Sequence, residues 1–234
     1  MAIVRPFRGL RAVPARVDPG ALTASGVDVD DAEVAALITR DPRNVMALLK
    51  ANAHSRARFL LQEQMRAGIV ARDRLPALYV LKVQGEGGNT GFFAVVRADS
   101  LEVDAVADPE RTEHLRLTAV GIEPVVVSYL DKNGRVARAL QSETEREPDA
   151  AFAVAGKPCE LWALDDDSVA ARVTAVLEGQ TLIATRGALA IAAQKSLVSG
   201  DDAIGYTLAF CVDGESPVEL VPIGIVLHAL DGSL

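Results

Sequence analysis

The stretch ALYVLKVQGEGGNTGFFAVVRA, residues 77–98, decides the fold. Its two apolar runs, residues 77–83 and 91–98, are rich in β-branched and aromatic side chains. They are joined by the glycine-rich QGEGGNT, so the pair reads as two strands in a hairpin. A phosphate-binding loop would end in Lys-Ser or Lys-Thr and feed a helix, and this loop does neither.

On the N-terminal side, residues 1–27 are rich in Pro, Arg and Gly and read as extended chain with one strand near Gly9–Val13. VDVDDAEVAALITRD (27–41) opens a helix, with Asp30 as its cap and Glu33 three residues on, a capping-box spacing. Pro42 is placed to start a second, short helix through Lys50. AHSRARFLLQEQMRAG (53–68) puts Ala57, Leu60, Leu61 and Met65 on one face and ends at Gly68.

On the C-terminal side, DPERTEHLRLTAVG (108–121) is a helix with a proline near its start, and EPVVVSYL (123–130) is a strand. The Asn-Gly pair in DKNGR (131–135) predicts a hairpin turn, and QSETEREPDA (141–150) an exposed connection or soft boundary. CELWAL (159–164) is a strand. DDDSVAARVTAVLEG (165–179) is a helix with acids in its first turn and Val169, Val173, Val176 and Leu177 on one face. TLIAT (181–185) is a strand feeding the apolar helix GALAIAAQKSLV (187–198). GYTLAFCV (205–212), an Asp-Gly turn at 213–214 and VELVPIGIVLHAL (218–230) finish as strands. Hairpins mixed with helices indicate an α+β chain with a mixed, largely antiparallel sheet and flanking helices. A single domain over 1–234 is expected.

Half of the 234 residues are apolar, enough for a sizeable core. Aromatics make up only 4 %, which argues against base- or sugar-stacking platforms. The net charge of −8 opposes binding to nucleic acid, leaving Arg5, Arg8, Arg11 and Arg16 as the one basic stretch to consider. No run reaches the roughly 20 apolar residues of a membrane span, and the start lacks a signal-peptide core. A soluble, cytoplasmic protein is expected. Cys159 and Cys211 lie in apolar strand-like runs and read as buried, reduced thiols. His54, His114 and His228 form no metal-ligand spacing.

Several segments together resemble a bacterial and archaeal family. They are IVRPFRGLRAVPA (3–15), RDPRNVMALLKA (40–51), MRAGIVARDRLPALYVLKV (65–83), DPERTEHLRL (108–117), EPVVVSYLD (123–131) and CELWALDD (159–166). The family is the domain of unknown function numbered ten-fifteen. It is similar in turn to the superfamily of ParB-type nucleotide-binding domains, sulfiredoxin and a free-serine kinase. The resemblance runs from residue 3 to about 228, implies a ParB/sulfiredoxin-like core, and marks this chain as a short, divergent member.

By that resemblance, the family carries a Gly-His-His-Arg box at a strand-to-helix turn, a phosphate-friendly arrangement. Here the box positions hold Arg186, Gly187, Ala188 and Leu189. The family's His-Glu-x-Thr box reads Pro109-Glu110-Arg111-Thr112, with Glu110 and Thr112 kept. Its PPYDV reads SGVDV, keeping Asp28 and Val29, and its PTHR reads PIGI, keeping Pro222 and replacing His-Arg by Gly224-Ile225. The resemblance therefore implies a catalytically degenerate binding or assembly module, with no cofactor and an unknown protein partner or self-association. Its alternative is a nucleotide- and Mg-dependent small-molecule phosphotransferase. In that reading Glu110 and Asp28 are catalytic, and Arg186, Gly187 and Thr112 hold the ligand. The enzyme requires Asp28, Glu110 and Arg186 to face one cleft. The degenerate module predicts a cleft filled by side chains such as Leu189 and Ile225.

Overall fold

A computed structural model describes residues 3–26, 29–50, 54–86, 88–102, 105–178, 180–197, 206–214, 218 and 220–230. In chain order the elements begin with β1 (Val4–Arg5), β2 (Gly9–Ala12), α1 (Pro19–Leu22), α2 (Asp31–Arg40), α3 (Val45–Leu49) and α4 (His54–Arg66). The hairpin region follows as β3 (Val70–Arg72), β4 (Leu78–Val83) and β5 (Thr90–Arg97). Then come α5 (Pro109–Thr118), β6 (Val120–Gly121), β7 (Val125–Tyr129), α6 (Arg135–Thr144), β8 (Ala150–Val154) and β9 (Lys157–Leu164). The chain ends with α7 (Asp167–Leu177), β10 (Ile183–Arg186), α8 (Ala188–Leu197), β11 (Tyr206–Asp213) and β12 (Val226–Ala229).

The 77–98 hairpin lies at the centre of an eight-stranded sheet ordered β10-β7-β11-β5-β4-β9-β8, with β1 added alongside β5. β4 and β5 pair antiparallel, Tyr79 opposite Phe93. The pair β7–β11 is parallel, and the other neighbours in this sheet are antiparallel. A second, four-stranded antiparallel sheet runs β3-β2-β12-β6. The fold is α+β, as its hairpins indicate.

The central strands read as unbroken apolar runs because both faces of the large sheet are covered. Phe92, Ala94 and Val96 face one core, closed by Val136 and Leu140 of α6, Val169 and Val173 of α7 and Ile191 of α8. Phe93 and Val95 face the opposite core, with Phe152, Leu161, Phe210, Leu220 and Ile225. A third cluster packs the small sheet against α2–α4 through Leu10, Val34, Met46, Leu61, Leu227 and others. Cys159 and Cys211 sit in opposite cores as buried free thiols, and burial pushes the Cys211 thiol up to about 12.

Three local expectations change. DKNGR is no hairpin turn: Gly134 adopts φ 59° at the N-cap of α6. The Asp131 carboxylate accepts the backbone N–H groups of Arg135, Val136 and Ala137 at 2.8, 2.8 and 3.0 Å. A side chain able to satisfy three helix-start donors favours a helix over a hairpin here. QSET accordingly belongs to α6, and 145–149 forms the largely exposed connection expected, held by a few contacts. Arg146 pairs with Asp149, Trp162 Nε1 donates to the Arg146 carbonyl at 3.0 Å, and Ala163 N–H donates to Asp149. The short helix α3 starts behind Asn44 rather than at Pro42, because the Asn44 side chain accepts from Met46 N–H. Asp30 caps α2 by accepting from Glu33 N–H at 2.8 Å.

Three of the four arginines near the start are engaged within the protein, and Arg16 is exposed. Arg11 pairs with Asp73 at 2.8 Å, Arg8 donates to the Asp73 carbonyl, and Arg5 stacks 5.3 Å above the Tyr206 ring.

Two carboxylates, buried Asp41 and exposed Asp149, give the fold an acid limit. The hydrogen bond from Arg43 holds Asp41 below its ordinary value. Burial pushes Asp149 up, but the hydrogen bonds from Arg146 and from Ala163 N–H outweigh it and leave it lowered. A depressed folded pKa contributes stability that is present above the unfolded value, 3.8 for both groups, and lost as pH falls through the folded one. The melting temperature is therefore expected to hold down to about pH 5 and to fall below about pH 4. Asp41→Asn should lower it at neutral pH and shrink the acid loss. An acid loss of undiminished size in Asp41→Asn would remove Asp41 from this account.

Candidate functional site

Helix α5 begins behind Asp108, whose carboxylate accepts from Glu110 N–H at 3.1 Å. Pro109 fits the first turn, where its missing N–H has no helical partner to lose. The helix ends at Ala119, in the left-handed conformation with φ 54°. Helix α8 packs alongside α5, and Thr112 Oγ1 lies 3.4 Å from Ser196 Oγ. On α8 the residues Ala190, Ala193 and Gln194 recur at helical spacing on one face. Together with α3, the β6 region and the start of β11, they enclose a cavity of about 260 Å³.

That cavity holds most of the polar chemistry described. Lys50, Asp108, Glu110, Arg111, His114 and Glu123 line it, as do Gln194, Tyr206, Thr207 and His228. Its one arginine is not free, because Arg111 is ion-paired with Glu123. His114 Nε2 donates to the Leu48 carbonyl at 3.0 Å, fixing helix α5 against the end of α3. His228 sits edge-on to Phe7, with ring centroids 5.4 Å apart.

A second cavity of about 320 Å³ lies beyond Glu123. Arg186, Ser25, Pro124 and Ile223 are among its walls, and Glu123 lines both cavities. Arg186 is exposed and donates from Nη2 to the Val218 carbonyl at 3.1 Å.

The site residues read from the sequence are thus divided. Glu110 is in the first cavity and Arg186 in the second. Thr112 donates to the Asp108 carbonyl at 2.8 Å, faces α8 through Ser196 and does not line the first cavity. Gly187 precedes α8 with φ +89°, where a Cβ would stand 3.0 Å from Val125 Cα. Asp28 lies outside the described residues. Leu189 and Ile225 do not fill the cleft: Leu189 is 42 % exposed, and Ile225 is buried in the core under the large sheet.

Reading the sequence missed Lys50, Arg111, Glu123, Gln194, Tyr206 and Thr207. Two signals were present. Glu123 stands directly before Pro124 in EPVVVSYLD, and Gln194 is the first polar residue after the apolar run that opens α8.

Three carboxylates, Asp108, Glu110 and Glu123, face two cations, Lys50 and Arg111, one of them already neutralised. Among the described residues no three His, Cys, Asp or Glu side chains are grouped to hold a metal ion. The start of α5, where a phosphate would find free N–H groups, is taken up by Asp108.

A family model described as a protein of unknown function, DUF1015, matches residues 4–232. The chain belongs to the DUF1015 family. Searches of curated proteins and of solved structures returned no match. The membership covers both cavities and both sheets. Among the described residues no helix is long and apolar enough to cross a membrane.

Proposed function

We propose that this DUF1015 protein is a small-molecule binding module whose ligand occupies the α5–α8 cleft, and that it carries out no phosphoryl transfer. One observation carries the reading: among the described residues no unpaired guanidinium shares a cavity with Glu110. Arg111 is held by Glu123, and Arg186 lies in the neighbouring cavity. Phosphoryl transfer depends almost wholly on positioning and on neutralising phosphate charge, so a cleft with a surplus of carboxylates is poorly built for it.

The proposal draws on the resemblance as well. Two positions where the family's boxes would place histidines are glycines with φ of +89° and +85°, Gly187 and Gly224. At Gly224 an added Cβ would lie 2.6 Å from Val45 Cβ. Side chains at these positions have been replaced by packing, which supports a degenerate member of a ParB-type nucleotide-binding lineage. A cytoplasmic setting fits this reading.

The test is a phosphoryl-transfer assay with Mg·ATP and small hydroxylated acceptors, on the native protein and on Arg186→Ala. No turnover above buffer is expected in either, and Arg186→Ala should leave the melting temperature within about 1 °C, because exposed side chains with single contacts contribute little. Turnover in the native protein that Arg186→Ala abolishes would restore the phosphotransferase reading.

A further inference from the structure

We infer that the protein associates head to tail with a second copy of itself, an arginine face on the small sheet and α4 meeting an acidic face beside α7. Neither cavity takes part in the contact. Charge is unevenly spread along the chain. Residues 1–75 hold twelve Lys and Arg against eight Asp and Glu, and residues 76–234 hold twelve against twenty-four.

Strand register gathers the arginines. Leu10 stands opposite Arg72, and Asp73 N–H donates to the Gly9 carbonyl, so the same register sets Arg8 opposite Arg74. Opposite residues share a face, which puts Arg8, Arg72 and Arg74 on the Leu10 side of the small sheet. Like charges directly opposite are destabilising, and Arg8 and Arg74 are both exposed. Helix α4 packs against the same core as Leu10 through Leu61, and its Arg56, Arg58 and Arg66 are exposed. Of these five exposed arginines, Arg66 alone has a carboxylate partner among the described residues, Glu63. Phe59, 56 % exposed, lies on the same helix face as Arg56, an aromatic of the kind that anchors protein contacts.

The acidic face joins two stretches, 143–149 and 165–167. Arg146 donates to the Ala163 carbonyl and Trp162 Nε1 to the Arg146 carbonyl, which holds the first stretch beside the second. Glu145, Glu147, Asp149, Asp165, Asp166 and Asp167 are all exposed, and Arg146 is the one cation in the two stretches. This face lies on the Arg11 side of β2, since the Arg11 charge helps to hold Asp149 low. Arg11 follows Leu10 in the strand and so points to the other side of the small sheet from the arginine face.

Charge complementarity selects the occupant. Two arginine faces repel, so a symmetric contact through this face is excluded, and the acidic face of another copy fits it. Long polyanions and anionic membranes are opposed by the net charge of −8. β3 is an edge strand, where arginines discourage an added strand, so the contact is made by side chains. A contact between two different faces closes into a ring or continues as a chain. Built on exposed charge, it forms fast and weakens with salt.

The experiment is sedimentation velocity of the native chain over a concentration series. Association at about 50 mM salt that weakens at least about tenfold at about 500 mM is expected. Two charge-reversed proteins show which faces meet. Arg56→Glu with Arg58→Glu reverses the arginine face, and Glu145→Arg with Glu147→Arg the acidic one. Each should associate at least about tenfold more weakly alone, and an equimolar mixture should recover association, because each supplies the face the other lacks. All four positions are exposed, so melting temperatures should stay within about 2 °C. Arg74→Glu reads the arginine face from the sheet if the helix variant unfolds. A native chain that stays monomeric at low salt would overturn the inference, as would association untouched by either reversal or a mixture that recovers none. Saturable binding of a short DNA duplex by a chain that does not self-associate would overturn it too, and assign the arginine face to nucleic acid.

Discussion

Gly224→Ala is expected to destabilise the protein by about 2–4 kcal/mol, lowering its melting temperature by roughly 5–15 °C. Gly224 has φ +85°, a region that costs an L side chain about 1–2 kcal/mol. The added methyl carbon would also stand 2.6 Å from Val45 Cβ and 2.9 Å from its Cγ1. Val45 opens helix α3 and is buried in the core of the small sheet, so it has little freedom to withdraw. Forcing extra atoms into such a core costs about 1–3 kcal/mol. The consequence reaches function, because by resemblance this position carries a histidine in other members. A side chain there would have to displace Val45 at the start of α3. Chemical denaturation of the variant is the check, and a midpoint equal to that of the native protein would contradict the packing argument.

Tyr79→Phe should cost about 2–4 kcal/mol although the ring stays in place. The Tyr79 hydroxyl accepts from Gly9 N–H at 2.7 Å and donates to Asp73 Oδ2 at 2.8 Å. It thereby joins β4 of the large sheet to β2 of the small one, next to the Arg11–Asp73 ion pair. Tyr79 is fully buried, and burial pushes its hydroxyl well above the usual tyrosine range, so it stays protonated and able to donate. Without the oxygen, the Gly9 N–H loses its partner inside the protein and the Asp73 carboxylate loses a donor. Each unsatisfied buried group costs about 1–3 kcal/mol. The edge-on packing of the ring against Phe7, with centroids 5.1 Å apart, is available to phenylalanine too, so the variant isolates the hydroxyl. A double-mutant cycle with Asp73→Asn should show coupling of at least about 0.5 kcal/mol. Additive losses would mean that the hydroxyl and the carboxylate do not act as one network.

The same two residues illustrate what was legible in the sequence. Asp73, Pro76, Ala77 and Tyr79 stand in the segment whose resemblance to the family is most detailed, and the spacing places Asp73 and Tyr79 within one hydrogen bond of each other. The strands of the central sheet were readable because two-sided burial makes them continuously apolar. Most helices were readable from caps and amphipathic spacing, as with Asp30 ahead of α2 and Ala57, Leu61 and Met65 on α4. The start of α6 was not, since Asn133-Gly134 has the composition of a hairpin turn. What overrides it is Asp131, which reaches donors four, five and six residues ahead. The division into two sheets was also hidden, because β12 pairs with β2 across more than 200 residues and no local pattern encodes that contact.

The cleft was only half legible. Glu110 could be found because it survives inside a recognisable box. Glu123 and Gln194 could not be chosen from the many polar residues beside apolar runs, as their importance comes from tertiary placement. Arg186 was the natural candidate for a phosphate ligand at a helix start. The β10–β7 register, with a bulge between Ala184 and Arg186, puts it on the far side of Glu123 from Glu110.

The measurement that bears most directly on the account is thermal unfolding of the native protein and of Arg186→Ala, with and without Mg·ATP or Mg·ADP. A ligand at about 100 times its Kd adds ~2.7 kcal/mol to the folded state. For a chain of this length that is a rise of roughly 5–10 °C. The account expects neither nucleotide to move either protein. A rise of that size in the native protein, absent from Arg186→Ala, would contradict it and make the second cavity a nucleotide site.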